Sequence, residues 1–485
     1  MTKEKVFIFI LSLCSSSLFS QVNATLTDKQ LHTISPYLLG QNLSYFNDLD
    51  TIWSKYNVVE KLEAFGTKAL RYPGGEETSR FHWEHPGVNG YVDYWDEKTW
   101  DRTGASNYVK PKYWDTNQKF MSLDDYLSHC KKMKIPPLVG VNISSGLKAN
   151  DIKRSVAEAQ RMAKYIKSKG IEELGFYLDN EMWHHASYVQ ISFEKYALET
   201  VRFSKKLKKI LPKSKIYVNP FGDGYLYQSR VLKAYLSVAG KAIDYIDVHW
   251  YWARKIASWK LWKSQPRLHF CNKWRKPKDQ RTLVNEIELI KHIIHQDPKY
   301  AHIGICALEW NVAPQNVKAG MALTENQTAL VQSEMMLQFI QGDMHMACMW
   351  PLSWGVNKYK RTGPRINFRS IMDQEEGYKE GTSYHLLSKY KNFLGNNLIE
   401  ITTNNKAVHI IAAKDKSKNL HFMVLNKSSE RKLHLNTQTN YTKVDALYSV
   451  DEHQIDQNTH KVNIEGNKLT IDMSPFSMTY FALKN

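Results

Sequence analysis

The sequence predicts an α/β fold, a (β/α)8 TIM barrel with a C-terminal antiparallel β-sandwich. Three observations lead there. Short apolar runs alternate with segments of helical periodicity up to about residue 394, the pattern of βαβ units and a parallel sheet. Eight such runs can be placed, and eight parallel strands close a barrel. From about Gly395 the texture changes to brief alternations of apolar and polar residues, the pattern of half-buried antiparallel strands. At 485 residues the chain can hold a barrel of about 250 residues or more and an appendage.

In chain order, Met1-Thr2-Lys3-Glu4-Lys5 is charged, Val6 to Leu13 is apolar, and small residues follow to Ser20. This reads as a signal peptide over residues 1–24, cut after Ser20 or Ala24, and predicts a secreted or periplasmic protein. The apolar run is too short to span a bilayer, and no other segment approaches a span. Cys14 raises lipoprotein anchoring, but Leu13 stands where a lipobox wants a small residue, so anchoring is the lesser alternative. The barrel is assigned to 25–394, with residues 25–33 as a strand that can join the sandwich at 395–485.

The first barrel strand is Ser35 to Asn42, and the second is Lys68 to Gly75, stopped by Pro73-Gly74-Gly75. Pro137 to Asn142 is the third. A helix follows, with Asn150 as N-cap, Ile152, Val156, Met162 and Ile166 on its inner face, and Gly170 as its stop. Leu174 to Leu178 is the fourth strand, Lys215 to Asn219 the fifth, Ile243 to His249 the sixth, Ile303 to Glu309 the seventh and Met346 to Trp350 the eighth. In the sandwich, Val408, Ile410 and Ala412, then Leu420, Phe422 and Val424, then Leu469, Ile471 and Met473, then Met478, Tyr480 and Ala482 mark inward faces.

Two insertions, Glu76–Gln118 and Ala253–Arg281, follow strands and so lie over the C-terminal face of the barrel, where active sites are built. The second holds ten basic residues against Asp279 alone, with Trp259, Trp262 and Trp274 among them. The whole chain carries a net charge of +18 (66 basic, 48 acidic), a field that draws anionic partners. No nucleic-acid-binding module is recognisable, and an exported protein meets little nucleic acid. An acidic or sulfated polysaccharide is the better candidate. Cys130, Cys271, Cys306 and Cys348 show no ligand spacing, and Cys306 and Cys348 read as buried thiols on adjacent strands. No cofactor, phosphate-binding or metal motif is present, and the adjacent pair His184-His185 is not a metal pair by spacing. Asn285-Glu286 falls in a helical pattern and reads as solvated surface.

Glycoside hydrolysis needs two carboxyl groups flanking the scissile bond, about 5–5.5 Å apart in a retaining enzyme. Two strand ends across a barrel mouth can supply them. The candidates are Glu181, after the fourth strand, and Glu309, at the end of the seventh.

Asn180-Glu181, Glu309-Trp310-Asn311, Leu70-Arg71-Tyr72-Pro73-Gly74-Gly75 and His249-Trp250-Tyr251 occur in order on those strands. Together they resemble the clan-A (β/α)8 retaining glycoside hydrolases, in their arabinofuranosidase, xylosidase/iduronidase and β-glucuronidase/heparanase-like branches. The resemblance runs from about Leu38 to Trp354 and on into the sandwich. It implies that Glu181 is the acid/base and Glu309 the nucleophile. It implies that Asn180 binds the sugar 2-hydroxyl, that Arg71 keeps Glu309 ionised, and that His249 or Tyr251 orients Glu309. Trp350 or Trp354 would floor the sugar site, with Asn142 and Trp310 completing the substrate-binding set. Two positions depart from the arabinofuranosidase pattern. Ser44 stands where a Glu is usual, and Glu76 where an Asn is usual. These departures favour another sugar.

The resulting expectation is a secreted retaining glycoside hydrolase acting on an anionic polysaccharide, such as a sulfated red-algal galactan of the agar, porphyran or carrageenan type, or a uronate-containing glycan. The alternatives are a neutral-sugar exo-glycosidase of α-L-arabinofuranosidase or β-xylosidase type, and a non-catalytic polysaccharide-binding protein.

Overall fold

The computed structural model describes residues 21–85, 93–95, 120–184, 187–221, 229–253, 257–269, 281–313, 322–353, 368–438, 440–456 and 461–484. The proposed signal with Cys14, most of the first insertion, about half of the second, His185, Cys271, Trp274 and Trp354 lie outside the described residues.

The chain enters through a strand, β1 (Val22–Thr33), which passes the barrel by. Eight short strands then close the barrel in sequence order: β2 (Tyr37–Asn42), β3 (Leu70–Tyr72), β4 (Leu138–Val141), β5 (Gly175–Leu178), β6 (Lys215–Val218), β7 (Tyr245–Trp252), β8 (Gly304–Val312) and β9 (Met346–Met349). Every neighbouring pair is parallel, and β2 meets β9 to complete the ring. The lower interior is filled by Ala69, Leu138, Tyr177, Tyr217, Cys306, Leu308, Met346 and Cys348. It is a packed core and not a pore, as barrel interiors of this size are. Cys306 and Cys348 are free, buried thiols within it.

The helix after β4 spans Ile152–Ser168 and buries Val156, Met162 and Ile166. Its cap is Asp151, whose carboxylate accepts the Arg154 N–H, in place of the expected Asn150. Glu286 lies fully buried on the helix Leu283–His295, against the expectation of a solvated position.

Beyond a two-stranded hairpin, β10 (Met372–Asp373) with β11 (Lys379–Glu380), the C-terminal strands are β12 (Asn397–Thr403), β13 (Val408–Lys414), β14 (Leu420–Asn426), β15 (Lys432–Asn436), β16 (Lys443–Val450), β17 (Ile455–Asp456), β18 (Val462–Glu465), β19 (Lys468–Asp472) and β20 (Ser477–Lys484). With β1 they form one ten-stranded sheet in the order β17-β16-β20-β14-β13-β12-β1-β15-β19-β18. Strands from both ends of that order, β16 and β18, pack on a common core with Val408, Phe422, Leu433 and Ile471, so the sheet folds over itself as a sandwich. It is mixed and not wholly antiparallel, because β1 runs antiparallel to β12 but parallel to β15.

The position of β1 bears on the two cleavage points expected from the sequence. Val22 and Ala24 are buried in the sandwich core and pair with Leu433 and Leu435. Cleavage after Ala24 would remove most of the β15 ladder, whereas cleavage after Ser20 spares it.

The phase of β20 is also corrected. Phe481 and Leu483 enter the sandwich core, while Met478, Tyr480 and Ala482 face the barrel core. The opposite face of β13 and β14 does the same through Ile411, Ala413, Met423 and Leu425. At this seam Lys427, fully buried, pairs with Glu334 of the helix Glu325–Gln341 at 3.0 Å. Trp262 donates Nε1–H to Glu334 at 2.6 Å, stacks on Trp259 and carries the Lys427 ammonium over its ring. Arg267 bonds Gln341 and Lys263 approaches Glu452. The described part of the basic insertion therefore binds the barrel to the sandwich. Trp259 and Trp262 are packing residues there, not sugar platforms.

Candidate active site

Strand periodicity sets the site. On β7, Asp247, His249 and Tyr251 alternate with Val248, Trp250 and Trp252, and the first set points into the barrel mouth. His249 lies in register with Glu309 on β8. At the end of β5 the backbone turns through left-handed conformations at Asp179 (φ 61°) and Glu181 (φ 45°). Non-glycine residues avoid that region unless the surroundings enforce it, and such residues cluster at functional sites. The enforcement comes from Asp179, whose buried carboxylate accepts from Ile143 N, Ser144 N, Asn180 N and Ser79 Oγ at 2.6–2.8 Å. That clamp fixes the direction in which Glu181 leaves the strand.

The two glutamates face each other, with a carboxylate oxygen of each and His249 Nδ1 all within 4.8 Å of one another. Their surroundings differ. Glu309 is nearly buried and receives Tyr251 Oη–H at 3.2 Å, His249 Nδ1 at 3.2 Å and Arg71 Nη1 at 3.4 Å. Glu181 is more open, its side chain 26% exposed, and meets His249 Nδ1 at 2.8 Å. Cations and donors that converge on one carboxylate stabilise its charge and its position. The more open partner is free to exchange protons with bound ligand and water.

The support behind Glu309 is deep. Arg71 is buried over the Tyr177 ring and bonds Asn42 Oδ1 at 3.1 Å and Asn180 Oδ1 at 2.7 Å. Burial opposes its charge, but the negative groups around it, Glu309 and Asp247 among them, hold its pKa above the usual value. His249 donates to Asp247 Oδ2 at 3.0 Å, and Asp247 also takes the Leu308 N–H at 2.7 Å. Burial pulls the imidazole down, yet Glu309, Asp247 and Glu181 outweigh it and hold the pKa well above normal. The ring thus bridges three carboxylates, which favour its charged form. Burial and the Glu309 charge push the Tyr251 phenol up, so it stays a donor. Gly75 closes the site from β3. A Cβ there would overlap Glu309 Oε1, so the loop can approach the carboxylate only as glycine.

The structure brings Glu181, Glu309, Asn180, Arg71, His249 and Tyr251 together. Asn142 is engaged elsewhere, its amide bonded to Phe81 O, Ser145 Oγ and Ser145 N. Trp310 alternates away from Glu309 and packs edge-on against Phe339 outside the barrel, so it is no sugar contact. Trp350 is almost fully buried at the end of β9. At the two departures from the arabinofuranosidase pattern, Ser44 is buried and donates its N–H to Asp48, and Glu76 pairs with Arg80 at 3.6 Å.

Sequence reasoning missed Asp247, Asp179 and Glu77. Asp247 was accessible, since it stands two residues before His249 on the same strand face. Glu77 was not. Its Oε2 is buried and accepts no hydrogen bond among the described residues, and burial, with Glu76 and Glu309 adding, raises its pKa to about 7. A carboxyl raised in the folded state binds more protons there than when unfolded. Its contribution therefore falls as pH climbs from the usual carboxylate range to about 7, on the order of 3 kcal/mol in all. Glu77→Gln is expected to be more stable than wild type at pH 8 by about that much and nearly equal at pH 4. Denaturant unfolding at the two pH values measures it, and a pH-independent difference would refute the assignment.

Residues 61–251 match the family described as alpha-L-arabinofuranosidase 1 domain. Among solved structures the chain is similar to the GH51 arabinofuranosidase of Xanthomonas axonopodis pv. citri, at 15% identity and TM-score 0.67, covering 96% of this chain and 100% of that one. It is similar to the alpha-L-arabinofuranosidase of Thermotoga maritima in its arabinose complex (15%, TM-score 0.69, 96% and 100%). It is also similar to a Paenibacillus polymyxa xyloglucanase of glycoside hydrolase family 44 (14%, TM-score 0.64, 96% and 100%). No curated protein matches the chain in sequence. At such identities the solved structures speak for the fold, and the family match speaks for the catalytic domain. The chain resembles the clan-A retaining glycoside hydrolases in its barrel, and its arabinofuranosidase-domain match makes it a glycoside hydrolase.

Proposed function

We propose that the protein is a retaining glycosidase of arabinofuranosidase type, with Glu309 as nucleophile and Glu181 as acid/base. The observation that carries this is the carboxylate pair, within 4.8 Å at its closest oxygens and unequally supported. That spacing is closer to the about 5–5.5 Å of retaining enzymes than to the wider gap of inverting ones. Glu309, held by Arg71, His249 and Tyr251, attacks the anomeric carbon. Glu181 protonates the departing oxygen, then takes a proton from the water that releases the sugar. Asn180, fixed by Arg71, would meet the hydroxyl next to the reacting carbon.

The pentoside reading is preferred to the sulfated-galactan reading for two reasons. The family match is to an arabinofuranosidase domain. Trp259, Trp262, Lys263 and Arg267 of the second insertion are engaged in packing, hydrogen bonds or ion pairs, which takes these four out of the case for an anionic polymer. An N-terminal export signal cut ahead of Val22 would place the reaction outside the cytoplasm.

The test is a substrate screen with proton NMR of the first product. Nitrophenyl α-L-arabinofuranoside and β-xyloside would be run beside sulfated galactans and uronate glycans. Pentose released with retained anomeric configuration is the expected result. An inverted first product would sink the double displacement, and activity on polymers alone would sink the pentoside assignment.

A further inference from the structure

Cations around the carboxylate pair have acidic partners. Arg71 and His249 meet Glu309, His249 also meets Asp247 and Glu181, and Arg80 meets Glu76. Arg369 differs. It follows β9 and stands at the C-terminal end of β8, where its Nη1 donates to Val312 O at 2.9 Å. Among the described residues no carboxylate pairs with it. The group that shapes its electrostatics is Tyr251, the phenol that donates to Glu309. Arg369 is held in place with care. Its carbonyl oxygen accepts from Asn311 Nδ2 at 2.9 Å and from Gln332 Nε2 at 2.8 Å. Both amides are fully buried, and Gln332 also bonds Asn311.

A guanidinium stays charged at any physiological pH and presents five N–H donors. Arg369 is half-buried, and the burial it has works against the charge with no counter-charge among the described residues to offset it. A backbone clamp that keeps such a group beside the nucleophile's own hydrogen-bond donor is hard to explain by packing. It is well explained if the counter-charge arrives with the substrate.

We infer that Arg369 binds an oxyanion substituent, a sulfate ester or a carboxylate, on a sugar unit at the reaction centre. The inference rests on the retaining-glycosidase reading above and not on its pentoside part, and sets the substrate as a glycan with a negative group beside the bond that is cut. Arginine suits both sources, because two of its donors can meet two oxygens of either group. It also returns part of the chain's positive charge to substrate recognition, on geometry in place of composition.

The experiment compares matched oligosaccharides. One arm uses a sulfated galactan oligosaccharide and its desulfated form. The other uses a uronate-bearing oligosaccharide and its carboxyl-reduced form. For wild type, Arg369→Gln and Arg369→Lys, kcat/KM and the calorimetric Kd are measured on each member. The anionic-to-neutral preference is expected to fall about tenfold to a hundredfold in Arg369→Gln and to recover in part in Arg369→Lys. The arm that responds names the oxyanion. A preference that is unchanged in both variants, or absent from wild type in both arms, overturns the inference. Binding preference reads it even where nothing is cleaved, an outcome that would sink only the hydrolase reading.

Discussion

Glu309→Gln is expected to lower kcat by about 10⁴- to 10⁶-fold on every glycoside the enzyme accepts, the range that loss of a covalent nucleophile produces. The amide is isosteric and keeps acceptor and donor positions near Arg71, His249 and Tyr251, so the fold should be retained. Glu181→Ala should behave differently. Loss of a general acid/base costs about 10²- to 10⁴-fold. The first step should suffer most with a poor leaving group and least with a nitrophenolate, which needs no proton. The second step should fail for want of a base, and azide, a nucleophile that needs no deprotonation, should restore turnover in Glu181→Ala but not in Glu309→Gln. Steady-state kinetics on nitrophenyl and alkyl glycosides with and without azide decides it. Rescue of the Glu309 variant instead would reverse the two roles, and more than a tenth of wild-type activity in that variant would end the nucleophile assignment. The asymmetry is read from contacts. Among the described residues Glu309 meets the donors of Tyr251, His249 and the cation Arg71, while Glu181 shares His249 and keeps an open face.

The same contrast explains what was legible in the sequence. The eight barrel strands could be read because each is a short apolar run between turns, and their ends fell within a few residues of those seen. That Glu181 and Glu309 would meet at one mouth could be read because both stand at strand ends of the barrel. Side-chain direction was the weak point. Trp310 follows Glu309 directly, so strand alternation sends it outward to Phe339, and the period of two would have shown this. Asn142 ends a strand at the correct face, but its hydrogen bonds go to Phe81 and Ser145, partners that no pattern announces. Charge misled for a related reason. A count of +18 does not say which cations are spoken for, and Lys427, Arg267 and Lys263 are used at the seam. Arg369 carried no motif, and its interest lies in the absence of an acid among its described neighbours.

The seam gives the largest expected stability effect. Lys427→Met would leave Glu334 with its charge buried and only two N–H donors, Trp262 Nε1 and Leu268 N. Breaking a buried pair from one side costs about 3–5 kcal/mol, because the remaining charge is uncompensated. The double variant Glu334→Gln/Lys427→Met should recover most of that. The Gln oxygen can still accept from Trp262 or Leu268, and Met fills the volume of the lysine stem over the Trp262 ring. Burial lowers the Lys427 pKa and Glu334 opposes that fall, which is how a pair held by mutual need behaves. Unfolding free energies from denaturant titration of the two single variants and the double variant give the coupling directly. A near-zero coupling would mean that this pair adds nothing to the apolar contacts of β13, β14 and β20 and to the polar ones such as Lys263 with Glu452. A large one would mean that part of the chain's positive charge is structural. The insertion that carries Trp262 begins at Ala253, two residues after Tyr251, so a seam that loosens in Lys427→Met should also be felt at the mouth of the active site.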